Sequence, residues 1–105
     1  MDLTNIDVKK IADLCGRWSI RELAVFERQV EDDNGASHDG FGALASFSQD
    51  AHVSMLEMGT IEDELGKCLG KPVAVITKWV LDNRYDPQSR QQVLGHAKTI
   101  YAAAA

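Results

Sequence analysis

The sequence predicts a small α/β fold: a mixed sheet of about three strands flanked by helices, in the order α-β-β-α-β-α. Three observations predict it. Apolar residues recur at three- and four-residue spacing across residues 8–18 and 52–69, the period of a helix packed along one side. Three short runs rich in β-branched, aromatic or small apolar residues, 20–26, 41–47 and 73–77, suit a pleated surface. The succession strand, crossover helix, strand from 41 to 77 is a βαβ unit, whose two strands run parallel. The chain has 105 residues, 45% hydrophobic and 26% charged, a globular composition large enough for one core and one domain, 1–105.

Each element has its own justification. The first helix starts with Thr4 as cap and Asp7 three residues on, and Val8, Ile11, Leu14, Cys15 and Trp18 share its apolar face. In the first strand, Leu23 and Val25 point to one side and Ala24 and Phe26 to the other. Residues 27–39 are polar and carry the turn signals Asn34-Gly35 and Asp39-Gly40, so most of this stretch reads as loop, with the strands on either side antiparallel. The second strand, 41–47, is rich in Gly and Ala. On the crossover helix Met55, Met58, Ile61, Leu65, Cys68 and Leu69 form the apolar line, and Gly70 with Pro72 stops it. Residues 73–77, apolar on both faces, read as a central strand. A helical turn at 78–81 and a loop follow. The last helix runs from Pro87 to about Ala102, with Val93, Ala97, Ile100 and Tyr101 as its stripe.

Charge and cysteines exclude several classes. The net charge is −5, and residues 27–64 hold ten acids against one base, Arg28. Binding to a phosphate backbone needs clustered Lys and Arg, so no nucleic-acid partner is expected. No apolar run approaches the ~20 residues of a membrane span, and residues 1–10 lack a leader pattern, so a cytoplasmic protein without a membrane partner is expected. Cys15 and Cys68 are too far apart in sequence for a zinc motif and read as core filler.

Three blocks carry a family resemblance over nearly the whole chain, in order. Ile11 to Cys15 followed by Leu23 to Phe26, then Glu62 to Gly66 with Leu69 to Thr77, and finally Arg90 to Leu94 with Tyr101, resemble the minimal nucleotidyltransferases of the DNA-polymerase-β-like superfamily. The block Leu69 to Thr77 is the most specific. The resemblance implies a nucleotidyltransferase-like sheet and marks the positions where that family performs chemistry.

At those positions this sequence departs from the family. The family's phosphate-holding Gly-Ser pair falls on Glu27 and Arg28, where a carboxylate repels phosphate and a side chain replaces the close-approach glycine. Matching Phe47 to the family's Phe places the Asp-x-Asp metal ligands on Gly40 and Gly42, and the third carboxylate on Ala74. A slip of one residue brings in Asp39 but puts Phe41 second. Two-metal chemistry needs alternate carboxylates on one strand face, reaching ions ~4 Å apart, and Gly and Ala offer magnesium no side-chain oxygen. No catalytic, phosphate-binding or metal-binding residue is therefore expected.

Other constellations are weaker. Asp32-Asp33 and Glu62-Asp63-Glu64 read as solvated charge, with Glu64 near Lys67 or Lys71. His38 beside Asp39 is a candidate loop acid–base pair without a nucleophile. Arg90 and His96 match the Arg-x5-His pattern of an all-helical RNase family found beside minimal nucleotidyltransferases, yet six helical residues turn about 240° net and separate them. Trp18 and Trp79 read as core or contact anchors.

The resulting expectation is a catalytically inactive nucleotidyltransferase-like protein without cofactor, acting as a partner-binding or scaffold module. The resemblance implies an antitoxin-like role beside a small helical HEPN-type protein, and the apolar helix faces and Ala-rich tail suit a homo-oligomer. The alternative is a divergent nucleotidyltransferase that uses Mg and ATP through Asp39, Asp50 or the acids of residues 31–33, moving a nucleotidyl group from an NTP to a protein or small molecule.

Overall fold

Asp7, rather than Thr4, opens the first helix: its Oδ1 accepts from the Lys9 and Lys10 amides at 3.1 and 3.2 Å. The computed structural model describes residues 6–103, and Thr4 lies outside them. Helix α1 (Val8–Trp18) buries Ile11, Leu14 and Cys15 and ends at Ser19, a left-handed residue whose N–H reaches the Cys15 carbonyl. There follow β1 (Ile20–Glu31), β2 (Ser37–Phe47), α2 (Met55–Leu69), β3 (Val73–Thr77), α3 (Lys78–Arg84), α4 (Pro87–His96) and β4 (Lys98–Ala102). The sheet has four strands in the order β3-β2-β1-β4; β2 and β3 are parallel, the other pairs antiparallel.

The expected two-sided alternation holds. Leu23 and Val25 of β1 join Phe41, Ala43, Ala45 and Val73 in the core beneath α1 and α2. Ala24 and Phe26 join Leu44, Ile76 and Leu81 on the other face, against Val80, Tyr85, Val93 and Ala97 of the α3–α4 segment. Helix α2 begins with a capping box, in which the Ser54 hydroxyl accepts from the Glu57 amide and the Glu57 carboxylate accepts from the Ser54 amide, both at 3.1 Å. It ends at left-handed Gly70, as the sequence predicts.

Four expectations are corrected. Residues 27–39 are not mostly loop: the β1–β2 ladder continues to Glu31 opposite Ser37, leaving a five-residue tip. The tip is closed by Asp32, whose Oδ1 accepts from the Asn34 and Ala36 amides, with Gly35 supplying the positive φ of 81°. Polarity concealed these strand halves because they project past the helices and have no core to face. The last helix stops at His96, and residues 98–102 are a fourth strand. Ile100 and Tyr101 fit either period, but β1 is buried in mid-sheet, and β4 supplies pairing groups along its second side. Strand β3 lies at a sheet edge rather than in the centre. Finally Met55, at the first position of α2, is 92% exposed instead of core; the buried residues of this helix are Ile61 and Leu65.

Candidate functional site

Strand register brings together the three positions that the resemblance implies for metal ligands. Gly40 and Gly42 are two apart on β2, and Gly42 pairs with Ala74 across the parallel ladder. All three belong to the sheet face that carries Phe26, Leu44 and Ile76. The three positions are therefore neighbours on one sheet face. What surrounds them could not be read from the sequence.

The space beside both glycines is filled. A Cβ on Gly42 would clash with the tip of the Phe26 ring, with Cε2 at 2.6 Å and Cε1 at 2.7 Å. Phe26 is the cross-strand partner of Gly42, so the ring lies over the glycine that faces it. A Cβ on Gly40 would meet the Pro72 carbonyl and sit 2.8 Å from Val30 Cγ2. The Pro72 carbonyl is held in place, since it accepts from the Phe41 amide at 2.9 Å. Phe26, Val30 and Pro72 are the site-shaping residues that a search for polar motifs misses. An aromatic placed opposite a glycine on a neighbouring strand is the signal that would have found them.

Glu27 and Arg28, at the implied phosphate-binding positions, stay in extended ladder geometry opposite Phe41 and Gly40. No helix opens here, so the main-chain amides are not gathered at a helix N-terminus as a phosphate cradle requires. The Arg28 Nε donates to the Gln29 carbonyl at 3.2 Å. The donor set Gly, Gly and Ala, and the filled space beside it, do not fit a magnesium–nucleotide group.

The remaining acids are dispersed among structural tasks. Asp39 accepts from Gln29 Nε2 at 2.6 Å instead of pairing with His38. His38 contacts Asp32, Nε2 to Oδ2 at 2.7 Å, and this bond, with the Ala36 and Asn34 amides, holds the Asp32 carboxyl below its ordinary value. Glu64 forks onto Arg17 at 2.7 and 3.2 Å and accepts from Trp18 Nε1 at 3.4 Å, so its partners lie on α1, not at Lys67 or Lys71. Glu62 accepts from the Val75 amide at 2.7 Å. Asp50 is exposed after β2. Among the described residues no group of three or more His, Cys, Asp or Glu side chains is placed to hold a metal ion.

A cleft of about 1010 Å³ opens between the hairpin arm, α2 and residues 70–74. Its walls mix Glu31, Asp33, Glu62 and Asp63 with Arg28, Lys67 and Lys71, and neither sign dominates. Cys15 is buried in the core, and that burial, with Cys68 nearby as a lesser cause, pushes its thiol up to about 12. Such a thiol is inert filler. Trp18 is half-buried on the core, whereas Trp79 is 60% exposed with the Arg84 guanidinium 5.6 Å from its ring centroid. Among the described residues no helix is long and apolar enough to cross a membrane.

No family model matches the sequence, and no curated protein matches it at a significant level. Solved structures do match. A protein assigned as a minimal nucleotidyltransferase superposes with a TM-score of 0.51 at 19% identity, covering 90% of this chain and 97% of that one. A toxin–antitoxin structure with AMP-PNP gives 0.57 at 14% identity, covering 93% and 75%. A complex of the tri-AMPylated Shewanella oneidensis HEPN toxin with its MNT antitoxin gives 0.56 at 12% identity, covering 91% and 70%. The fold is therefore nucleotidyltransferase-like. Within that class it is the fold of the minimal nucleotidyltransferases, some of which are solved as toxin–antitoxin complexes.

Proposed function

We propose that this chain is a catalytically inactive nucleotidyltransferase-like protein that works by binding a partner, as an antitoxin-like module beside a HEPN-type helical protein. The observation that carries the reading is the filled space at Gly40 and Gly42. Carboxylates are absent there, and Phe26, Val30 and Pro72 occupy the volume that carboxylate side chains would need. Divergence by point substitution alone would leave a vacant cradle, whereas here the surroundings have closed over it. The continuous β1–β2 ladder through Glu27 and Arg28 adds support, since it replaces a phosphate-holding turn by paired strand. The partner class rests on neighbours of the same fold that are complexes of an MNT antitoxin with a HEPN toxin.

A second reading, nucleotidyl transfer from an NTP, draws on the neighbours described with AMP-PNP or with an AMPylated toxin. Against it, no group of three or more His, Cys, Asp or Glu among the described residues is placed to hold a metal ion, and Asp32 and Asp39 already accept from Asn34 and Gln29. Expression of the tagged chain from its native locus tests the first reading. Co-purification of a small helical protein encoded alongside it, with no nucleotide adduct by mass spectrometry, is the expected result. An adduct on that protein formed only with Mg²⁺ and ATP would establish the second.

A further inference from the structure

Strand β3 ends the sheet, and its five residues, Val73–Thr77, include no charge. In the parallel ladder the main-chain groups of Ala74 and Ile76 turn toward β2, so those of Val73 and Val75 turn outward. An uncharged edge with outward-facing amides is a template for another strand. Here the middle of that edge is taken. The Glu62 carboxylate, reaching over from α2, accepts from the Val75 amide at 2.7 Å, and this bond is part-buried.

We infer that Glu62 is a built-in edge guard: by holding the Val75 amide it keeps β3 from adding the β3 edge of a second copy of this chain. A second copy is the specific occupant excluded, because two identical uncharged edges are self-complementary about a twofold axis and no cross-strand charge pair opposes their approach. Strand β4 at the opposite edge carries Lys98 and is interrupted by a register shift, so it has its own protection. The guard is unrelated to nucleotide chemistry and stands whether or not the chain is an enzyme.

Analytical ultracentrifugation of Glu62→Ala and Glu62→Gln beside the parent tests this, with amide exchange read at Val75. The Ala variant is expected to shift toward twice the parent's mass as concentration rises. Its Val75 amide should exchange at least tenfold faster than the parent's when dilute and regain protection when concentrated. The Gln variant keeps an oxygen acceptor and should sediment as the parent does. Parent mass for the Ala variant at every concentration overturns the inference, as does assembly of the Gln variant to the same extent, which would make charge rather than the bond responsible. Should the Ala variant fail to fold, exchange on the parent decides: protection at Val75 above that at Val73 supports the guard, and equal exchange of the two amides contradicts it.

Discussion

Across the β1–β2 ladder the Phe26 ring lies over the Gly42 Cα, so the two positions are energetically coupled. Gly42→Ala forces a Cβ into the ring and should cost about 1–3 kcal/mol in urea unfolding. In a Phe26→Ala background the same change should be nearly free, giving a coupling of about 1 kcal/mol or more; simple additivity would mean that the ring yields and the space is not filled. The Asp32–His38 contact makes a pH prediction. Asp32 is held below its ordinary value first by the His38 side chain, then by the Ala36 and Asn34 amides. A depressed carboxyl stabilises above the unfolded value of about 3.9, and that contribution is lost as pH falls through the lower folded value. In His38→Ala the Asp32 carboxyl should titrate closer to its ordinary value by NMR, and an unchanged midpoint would contradict the contact. For Cys15 the sign is reversed. With the folded value raised from 9.0 to about 12, its contribution is intact below pH 9 and declines above it. At pH 8 a thiol reagent should modify half-buried Cys68 and spare Cys15 until the protein unfolds.

At the scale of elements, legibility followed burial. Helices α1 and α2 were visible because Ile11, Leu14, Ile61 and Leu65 recur with helical period against a core. The stop at Gly70 and the parallel β2–β3 pair followed from local chemistry and from the crossover. The outer half of the hairpin was hidden because its partners are backbone groups: Gln29 faces Asp39 and Glu31 faces Ser37, with no apolar alternation to announce a strand. Strand β4 was hidden by ambiguity, since Ile100 and Tyr101 continue the helical spacing of Val93 and Ala97 as well as they fit an edge strand. The need for β4 arises from β1, whose second side requires a pairing partner. The candidate site divided in the same way. Its three positions come from the resemblance alone, whereas the packing of Phe26, Val30 and Pro72 beside Gly40 and Gly42 is a tertiary fact. The α2 capping box is a local element with a measurable value: Ser54→Ala should lower stability by about 1 kcal/mol, and a loss under a few tenths would mean the helix start is held by packing instead.

For the whole molecule, the fold is a nucleotidyltransferase-like sheet, and the proposed function requires that the place for metal and nucleotide be built over. Both core layers that support the sheet are complete, and no buried polar or charged residue is left in them among the described residues. Five of the ten acids in residues 27–64 make turn, cap, cross-strand or helix-anchored bonds, and among the described residues no cluster of three or more His, Cys, Asp or Glu is placed to hold a metal ion. Thermal denaturation with millimolar ATP, with and without Mg²⁺, puts the central claim to its most direct test. Superimposable melting curves are the predicted result, because Gly40, Gly42 and Ala74 give the ions nothing to bind. A rise in melting temperature that requires both Mg²⁺ and ATP would contradict it.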